Sequence, residues 1–288
     1  MLKIKYYSNN WQILDMLRLP SIPNNVYSSY DDAIKAPTAS FLLKRNKLYN
    51  YHFNGVYEDL DYDSVLYQNS QAESKKFQQH ISNISQKIAK TAPLDSKIVE
   101  IGCGKGYFLN TLKSQGFKNL FGFDIAYQGD CTNIKKKYFD KNDYNFRADF
   151  IVLRHTLEHI PDPVNFLESI YKINNNDEST IFIEVPCFQW IINNQAYWDL
   201  TVEHCNYFTK DSFESMITGS KCENVFDQQY LFVEAKLKNI SKKFVEESDI
   251  EISDLKTFFP SMPNREINET SKTVFSNKNK STYWIWGA

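Results

Sequence analysis

Hydrophobic and polar positions change their spacing twice in the stretch that begins at Lys97. The residues KIVEI form a short apolar run, and a glycine-rich turn follows. The next segment places Phe108, Leu109 and Leu112 on one face at helical spacing, and LFGFD then returns to an apolar run. Short apolar runs are typical of buried strands and the spacing between them is typical of a helix, so the pattern predicts a β-α-β unit of a parallel sheet.

Further apolar runs continue this alternation. ADFIVL and TIFIEVP predict two more strands, the second ended by Pro186, and NVFDQQYLFVEAKL predicts a closing hairpin. The fold class predicted is α/β, a doubly wound Rossmann-like sheet with helices on both faces. We assign it to residues 73–240, between a small irregular N-terminal region at 1–72 and a short C-terminal extension at 241–288. In the extension, VEESDIEISDLKTFF predicts a helix.

Composition excludes several classes of protein. The 288 residues are 42% hydrophobic, and a formal net charge of −2 gives no electrostatic reason to bind nucleic acid or a membrane surface. No apolar stretch is long enough to span a membrane, and the N-terminus lacks the apolar centre of a secretion signal. We therefore expect a cytoplasmic protein. The five cysteines are scattered and never spaced C-x-x-C, which predicts neither a disulfide framework nor a cysteine zinc site.

The glycine turn EIGCGKG ends the first predicted strand of the sheet. Parallel α/β sheets bind their ligands at this edge, where the strand order reverses. Gly102 and Gly104 permit a tight turn and a close approach of the backbone to a ligand. Asp124 ends the next strand, where a carboxylate can accept hydrogen bonds from both hydroxyls of a ribose. The combination predicts a ligand that contains adenosine.

The spacing of the glycines narrows the choice of ligand. A dinucleotide fingerprint reads G-x-G-x-x-G, whereas this turn reads G-x-G-x-G. Glu100 precedes the turn, where an acid would repel a pyrophosphate. The same acid suits a cationic ligand, such as the sulfonium and ammonium groups of S-adenosylmethionine.

Three stretches, EIGCGKG, FGFD and ADFIVLRHTLEHIPDP, together resemble the class I S-adenosylmethionine-dependent methyltransferases. The resemblance implies S-adenosylmethionine as cofactor and S-adenosylhomocysteine as product. It also implies that the glycine turn holds the amino-acid part of the cofactor, that the acid of FGFD holds the ribose, and that YFD at 138–140 flanks the adenine. The cofactor-binding residues that it implies are Glu100, Gly102, Cys103, Gly104, Asp124, Ile125, Phe139, Arg154 and His155.

The string HTLEH at 155–159 has the spacing of an inverted zinc-protease motif, in which two histidines one helical turn apart bind zinc. It follows directly on the strand ADFIVL, and Pro161 and Pro163 oppose a long helix after His159. We therefore interpret HTLEH as a helix start on the ligand edge of the sheet and expect no bound metal. A zinc hydrolase is kept as a remote alternative.

The stretch EVPCFQWIINNQAYWDLTVEHCNYF resembles a narrower group, the C-methyltransferases of nucleotide-linked sugars. The resemblance matches Glu203 and His204 to a Glu-His pair whose histidine is that group's proposed general base. A neutral imidazole can accept a proton near pH 7. We predict His204 as the base, with Glu203 orienting it or gripping the substrate. Nearby aromatic residues are candidate substrate contacts, namely Trp190, Tyr197, Trp198 and Tyr207.

The chain departs from the sugar C-methyltransferases at three places. Thr201 stands where that group has a tyrosine, two residues before the Glu-His pair. No cysteine precedes Cys103, whereas the N-terminal domain of the group carries a four-cysteine zinc site. The chain ends at TYWIWGA, which resembles the start of the group's C-terminal domain. We therefore predict a zinc-free remnant or lid at the N-terminus and a truncated C-terminal region.

These features predict a methyltransferase that acts on a small sugar or nucleotide-linked acceptor, in bacterial surface-polysaccharide (capsule) or natural-product biosynthesis. They predict neither a nucleic-acid nor a membrane partner. Two alternatives stay open: an O-methyltransferase that acts on a hydroxyl or phosphate-type oxygen, and a catalytically silent module that only binds the cofactor.

Overall fold

The computed structural model describes residues 17–21, 26–27, 29, 32, 35–57, 74–241, 243–260 and 284–285. The α-helices in these ranges are α1 (Lys75–Thr91), α2 (Tyr107–Ser114), α3 (Pro163–Asn174), α4 (Phe188–Asn193), α5 (Lys210–Met216) and α6 (Leu255–Phe258). The strands are β1 (Leu17–Pro20), β2 (Val26–Tyr27), β3 (Thr38–Phe41), β4 (Leu43–Asn46), β5 (Tyr51–Asn54), β6 (Lys97–Ile101), β7 (Asn119–Phe123), β8 (Ile134–Lys135), β9 (Phe150–Arg154), β10 (Thr180–Pro186), β11 (Asn206–Tyr207), β12 (Lys221–Val225), β13 (Tyr230–Lys236), β14 (Ile250–Ile252) and β15 (Trp284–Ile285).

A seven-stranded sheet forms the centre of the molecule, in the order β12-β13-β10-β9-β6-β7-β8. Strands β10, β9, β6, β7 and β8 are parallel, whereas β13 runs antiparallel to both of its neighbours. After β6 the chain builds β7 and β8 on one side and then returns to build β9 and β10 on the other. The strand order therefore reverses between β6 and β9, and this is the place where such sheets bind ligands. The predicted doubly wound sheet and its closing hairpin are confirmed.

Each strand of the sheet sends alternate side chains into two separate cores, as a period of two requires. Ile98 of β6 packs with α1 and α2 on one face, and its neighbour Val99 packs with α3 and α5 on the other. Helix α1 illustrates how the sequence encodes this packing. Its buried residues Phe77, Ile81 and Ile84 recur at helical spacing, and the Ser74 hydroxyl caps its first turn. Helices thus cover both faces of the sheet.

A second, four-stranded sheet has the order β11-β5-β4-β14 and joins three parts of the chain. Strand β14 lies within VEESDIEISDLKTFF, so the prediction of a single helix there is wrong. Ile250 and Ile252 pair with Asn46 and Lys44, because the edge of β4 offers backbone hydrogen bonds that no local sequence signal reveals. Only the four-residue helix α6 follows, and the carboxylate of Asp254 caps it by accepting from the Lys256 amide at 2.9 Å.

The regions at the two ends of the chain are described only in part. Residues 1–16 and 58–72, which belong to the predicted N-terminal remnant or lid, lie outside the described residues, as does most of the predicted C-terminal extension after residue 260. Among the described residues, no helix combines the length and the apolar character that crossing a membrane requires.

Candidate active site

The glycine turn between β6 and α2 leaves an open space at the carboxyl end of the sheet. Gly102 and Gly104 both adopt the left-handed region, with φ of +77° and +51°. A Cβ at Gly102 would lie 2.2 Å from Thr156 Oγ1, so tight packing against the next turn excludes a side chain there. A Cβ at Gly104 would have no described atom within 4 Å. The backbone at Gly104 therefore faces a space that a ligand can enter.

Asp124 connects the end of β7 to this turn. Its Oδ2 accepts a hydrogen bond from the Gly104 amide at 2.7 Å, and its Oδ1 accepts one from the Ala126 amide at 2.8 Å. Each carboxylate oxygen has a further lone pair, and the side chain is partly exposed. Asp124 can therefore hold the turn in shape and still accept hydrogen bonds from ribose hydroxyls. Ile125, beside it, is exposed on the same edge.

Glu100 lies in β6 directly beneath the turn and is 2% exposed. Its Oε2 has no hydrogen-bond partner among the described residues. Burial raises the pKa of Glu100 to about 8, against the opposing effect of Arg154. The carboxyl is therefore mostly protonated at neutral pH, and a cation bound above it would favour the ionised form. The thiol of Cys103 is also buried here, and burial raises its pKa.

The raised pKa of Glu100 makes the stability of the fold depend on pH in a defined direction. Between the ordinary value of 4.5 and about 8, the folded protein keeps a proton that the unfolded chain has released. Stability contributed by this group is therefore lost as pH rises through that window. Glutamine does not titrate, so the difference in unfolding free energy between Glu100→Gln and the wild type should shift in favour of the variant as pH rises. We expect a shift of up to about 1.4 kcal/mol per pH unit within the window, and a constant difference at higher pH. Urea denaturation of both proteins at several pH values measures this difference. A difference that does not vary with pH would contradict it.

A buried carboxylate in the strand TIFIEVP organises the neighbouring edge of the sheet. Glu184 of β10 is fully buried, and its Oε1 contacts His80 Nε2 at 3.0 Å, Arg154 Nη2 at 3.2 Å and His155 Nε2 at 2.9 Å. Burial alone would raise the pKa of Glu184, but these partners hold it well below its ordinary value. We call Glu184 and these three partners the Glu184 network. No signal in the sequence connects His80 of α1 with this site.

Arg154 and His155, both predicted to line the cofactor cleft, are held by the network. The Arg154 guanidinium lies over the Phe108 ring at 4.7 Å from its centroid. His155 has a φ of +48° and packs against Tyr230, with the ring centroids 4.6 Å apart. Burial lowers the pKa of His155, but its contacts with Glu158 and Glu184 outweigh burial and raise the pKa to about 9. Both side chains are thus fixed by ion pairs at the ends of β9 and β10.

The motif HTLEH does not form the helix that a zinc protease requires. Residues Leu157–His159 form a single 3₁₀ turn, and α3 begins only at Pro163. His155 extends back to Glu184, so the two histidines of the motif do not act as a pair. The prediction that a helix begins within the motif is replaced by this short turn. Thr156 joins the turn to the glycine loop, because its hydroxyl donates to the Ile101 carbonyl at 3.2 Å.

His159 instead meets the second Glu-His pair. Its Nδ1 lies 2.9 Å from the Glu203 carbonyl oxygen, and its ring centroid is 5.0 Å from that of His204. The predicted base, His204, has a buried Nδ1 without a hydrogen-bond partner among the described residues. Burial lowers the pKa of His204 to about 3, so the imidazole is neutral but a weak base. The described contact of Glu203 with a histidine is made by its backbone carbonyl, while burial raises the pKa of its carboxyl to about 7.

Tyr207, a predicted substrate contact, shapes the loop that carries His204. It is 2% exposed, and its hydroxyl donates to the Thr201 carbonyl at 3.0 Å and lies 3.1 Å from the Thr201 amide. The Thr201 hydroxyl in turn accepts from the His204 amide at 3.3 Å. The position of Tyr207 therefore suits the support of this loop, since its polar atom is already engaged with the backbone.

The remaining predicted site residues are spread over different surroundings. Tyr197 and Trp198 share a 3₁₀ turn with ring centroids 5.5 Å apart, and Trp198 is exposed. Trp190 lines a cavity of about 1000 Å³, which none of the predicted cofactor residues lines. Phe139 is buried against Phe123, with 5.0 Å between the ring centroids. The structure therefore brings the glycine turn and its acids together, whereas Trp190 lines a separate cavity.

Comparison with known proteins identifies the region that contains the carboxyl edge of the central sheet. A family model described as a methyltransferase domain matches residues 73–225. The tRNA U34 carboxymethyltransferase of Aliarcobacter butzleri (strain RM4018) is 30% identical over 105 residues, which cover 30% of this chain and 33% of that relative. This chain thus matches about a third of the relative's length.

Solved structures resemble about half of the chain. The methyltransferase domain of bacterial CtHen1 is 15% identical, with a TM-score of 0.43, and the match covers 56% of this chain and 100% of that one. The plantazolicin methyltransferase BpumL, solved with S-adenosylhomocysteine, is 15% identical with a TM-score of 0.41 and coverage of 56% and 83%.

The family match includes the features that fit the cofactor. It contains the open space at Gly104, the lone pairs of Asp124 and the unpartnered oxygen of Glu100. It also contains the reversal of strand order between β6 and β9. Since the family model matches more than half of the chain, the chain belongs to the class I methyltransferases, enzymes whose cofactor is S-adenosylmethionine.

Proposed function

We propose that this enzyme methylates a hydroxyl oxygen of a small sugar or nucleotide-linked acceptor, in bacterial surface-polysaccharide or natural-product biosynthesis. The observation that carries the proposal is the pairing of His159 with His204, whose ring centroids lie 5.0 Å apart. Thr156 connects the turn that carries His159 to the glycine turn, because its hydroxyl donates a hydrogen bond to the Ile101 carbonyl. A hydroxyl acceptor bound beside these imidazoles would stand next to the cofactor edge of the sheet.

In this proposal, one set of residues holds the cofactor and another orients the acceptor. Bound S-adenosylmethionine supplies an activated methyl carbon, whose bond to sulfur breaks as the new carbon–oxygen bond forms. Gly104 and Asp124 are the proposed contacts to the cofactor. His204, at its unpartnered Nδ1, can accept a hydrogen bond from the acceptor hydroxyl, which gives up its proton during the transfer. Alignment of the two reactants is the main contribution of such residues.

An oxygen acceptor is favoured over a carbon acceptor by the loop around Thr201. The sugar C-methyltransferases that the sequence resembles have a tyrosine at this position, and Thr201 instead uses its hydroxyl to accept from the His204 amide at 3.3 Å. The exposed ring of Trp198 offers a surface on which a sugar or base can stack. The net charge of −2 favours a small acceptor over a polyanion. A nucleic-acid acceptor is the rival that the Aliarcobacter relative suggests.

Methyl transfer to candidate acceptors tests the proposal. The purified enzyme is given S-adenosylmethionine with a ¹³C-labelled methyl group, together with nucleotide-linked sugars, phosphorylated sugars or tRNA. We expect the label in an O-methyl group of a sugar, identified by its carbon chemical shift. We also expect His204→Asn to lower kcat about 100-fold while S-adenosylhomocysteine affinity is unchanged.

Each other outcome selects a different function. Label in a C-methyl group would point to carbon methylation, and label in tRNA to a nucleic-acid acceptor. Tight binding of S-adenosylhomocysteine without any transfer would support a silent cofactor-binding module. An unchanged kcat in His204→Asn would remove His204 from the acceptor site.

A further inference from the structure

We propose that Glu158, His159 and His204 form a binding site for one divalent transition-metal cation of the Zn²⁺ class, on the acceptor side of the active site. One carboxylate oxygen and one ring nitrogen from each histidine lie within 4.8 Å of one another. Two imidazole nitrogens and one carboxylate oxygen are a donor set that Zn²⁺ accepts in catalytic sites. Mg²⁺ and Ca²⁺, which prefer all-oxygen sites, fit it poorly.

The first argument is the state of Glu158. The side chain is 1% exposed, yet neither carboxylate oxygen has a hydrogen-bond partner among the described residues. Its charged neighbour in the described part of the chain is His155, whose Nδ1 lies 3.4 Å from Oε1. Leaving a buried carboxylate without hydrogen bonds is costly, and proteins normally avoid it by pairing or metal coordination. His155 approaches only one oxygen, at 3.4 Å, so a cation between Glu158 and the two histidines would give the buried carboxylate a second partner.

The second argument is the orientation of the two histidines. The Glu203 carbonyl lies 2.9 Å from Nδ1 of His159, which fixes the ring and directs the other nitrogen away from this carbonyl. Metal-binding histidines commonly donate their second ring nitrogen to such a carbonyl. His204 contributes a buried Nδ1 that lacks a hydrogen-bond partner among the described residues. Tyr207 and Thr201 hold the loop that presents it.

The distances allow a cation after small side-chain rotations. Ligand atoms around a tetrahedral Zn²⁺ are about 3.3 Å apart, since each lies about 2.0 Å from the metal. Atoms that start within 4.8 Å of one another must therefore move inward by little more than an ångström at most. The three protein ligands leave a coordination position open, as catalytic zinc sites require.

An open position gives the site a task that rests on the proposed function. An acceptor hydroxyl bound to the cation would lose its proton to solvent more readily, because a divalent charge stabilises the resulting alkoxide. The alkoxide oxygen then forms the bond to the methyl carbon, and the sulfur leaves with the electron pair of the broken bond. With the cation bound, Nδ1 of His204 would be one of its ligands, and the cation would take over the contact with the acceptor hydroxyl that the proposed function gives to this nitrogen.

This site differs from the zinc-protease interpretation of HTLEH. That interpretation needs His155 and His159 on one helix, whereas His155 is bound to Glu184. The proposed site uses the second half of the motif together with a histidine from a distant loop. It is an alternative to the expectation, drawn from the sequence, that no metal is bound.

Zinc titration of the metal-free, untagged protein tests the proposal by calorimetry. We expect the wild type to bind one Zn²⁺ per chain. In Glu158→Gln and in His204→Asn, the affinity for Zn²⁺ should be reduced at least about 100-fold. The variants His52→Asn and Cys131→Ser remove other possible zinc ligands, a buried histidine and an exposed cysteine outside the site, and should bind Zn²⁺ as the wild type does. Failure to bind Zn²⁺, or equal affinity in all four variants, would overturn the site.

Two further measurements cover the case in which a variant does not fold and separate this inference from the proposed function. The visible spectrum of the wild type with Co²⁺ should show a four- or five-coordinate site, and a six-coordinate spectrum like that of aqueous Co²⁺ would contradict it. S-adenosylhomocysteine binding should persist in the zinc-site variants. If methyl transfer to a hydroxyl acceptor continues unchanged after the metal is removed by a chelator, only the role of the metal is overturned. If the protein binds Zn²⁺ but transfers no methyl group, only the proposed function is contradicted.

Discussion

Replacing Glu184 with Gln is expected to lower the free energy of unfolding by about 3–5 kcal/mol, the largest effect on stability that we foresee. The carboxylate is fully buried, and one oxygen contacts His80, Arg154 and His155 within 3.2 Å. A glutamine amide can keep some of these contacts but cannot neutralise the buried guanidinium. The variant would leave that charge uncompensated in the interior, where solvent cannot screen it.

A matched surface variant separates this effect from the general loss of an acid. Glu178 lies on the surface and forms ion pairs with Lys238 at 3.0 Å and Lys236 at 4.0 Å. Exposed pairs contribute little, so Glu178→Gln should change the unfolding free energy by less than about 1 kcal/mol. Urea denaturation of both variants gives the comparison. Equal changes in the two would mean that Arg154 finds other compensation when Glu184 loses its charge.

The central sheet could be predicted because its signals are local. Each strand is a short apolar run, and the turn at Gly102 and Gly104 needs a backbone conformation that glycine adopts freely. The position of Asp124 beside the turn could be predicted for the same reason, since the residue directly follows a strand end. Local patterns of this kind carry enough information to place the cofactor edge without any knowledge of long-range contacts.

The Glu184 network could not be predicted, because its members come from three separate elements. His80 belongs to α1, Arg154 and His155 follow β9, and Glu184 lies in β10. Only the packing of α1 across the sheet brings them together. Strand β14 was missed for a related reason: its pairing with β4 depends on an edge that is just over two hundred residues earlier in the chain. Pairings over such distances are decided by tertiary structure, which overrides local propensity.

The region around His159 and His204 has features with a local sequence signal and features that depend on long-range contacts. The sequence predicted His204 as a catalytic base, and it offered HTLEH as a motif with the spacing of a zinc site. It did not indicate that His159 of the motif would lie against the loop of His204, because the contact joins residues 44 positions apart. The chemistry of the two motifs is therefore best considered as one site, and this follows from their geometry alone.

Replacing Asp124 with Ala is expected to weaken S-adenosylhomocysteine binding about 100-fold, equivalent to about 2.7 kcal/mol. The carboxylate accepts from the amides of Gly104 and Ala126, and it retains lone pairs for ribose hydroxyls. Hydrogen bonds to a charged acceptor contribute roughly 1.5–3 kcal/mol each, so the loss of the ribose contacts accounts for the change. Calorimetric titration measures the affinity.

Two companion variants identify which property of Asp124 matters. Asp130 is an exposed acid in the following loop, and Asp130→Ala should leave the affinity within about twofold of the wild type, since exposed charges are screened by salt. Asp124→Asn keeps one acceptor oxygen but lacks the charge, so its affinity should lie between those of Asp124→Ala and the wild type. If Asp130→Ala weakened binding as strongly as Asp124→Ala, the overall negative charge of this edge, and not a direct contact of Asp124, would govern the affinity. A selective loss at Asp124 would instead establish a direct contact, because only that carboxylate is fixed to the glycine turn.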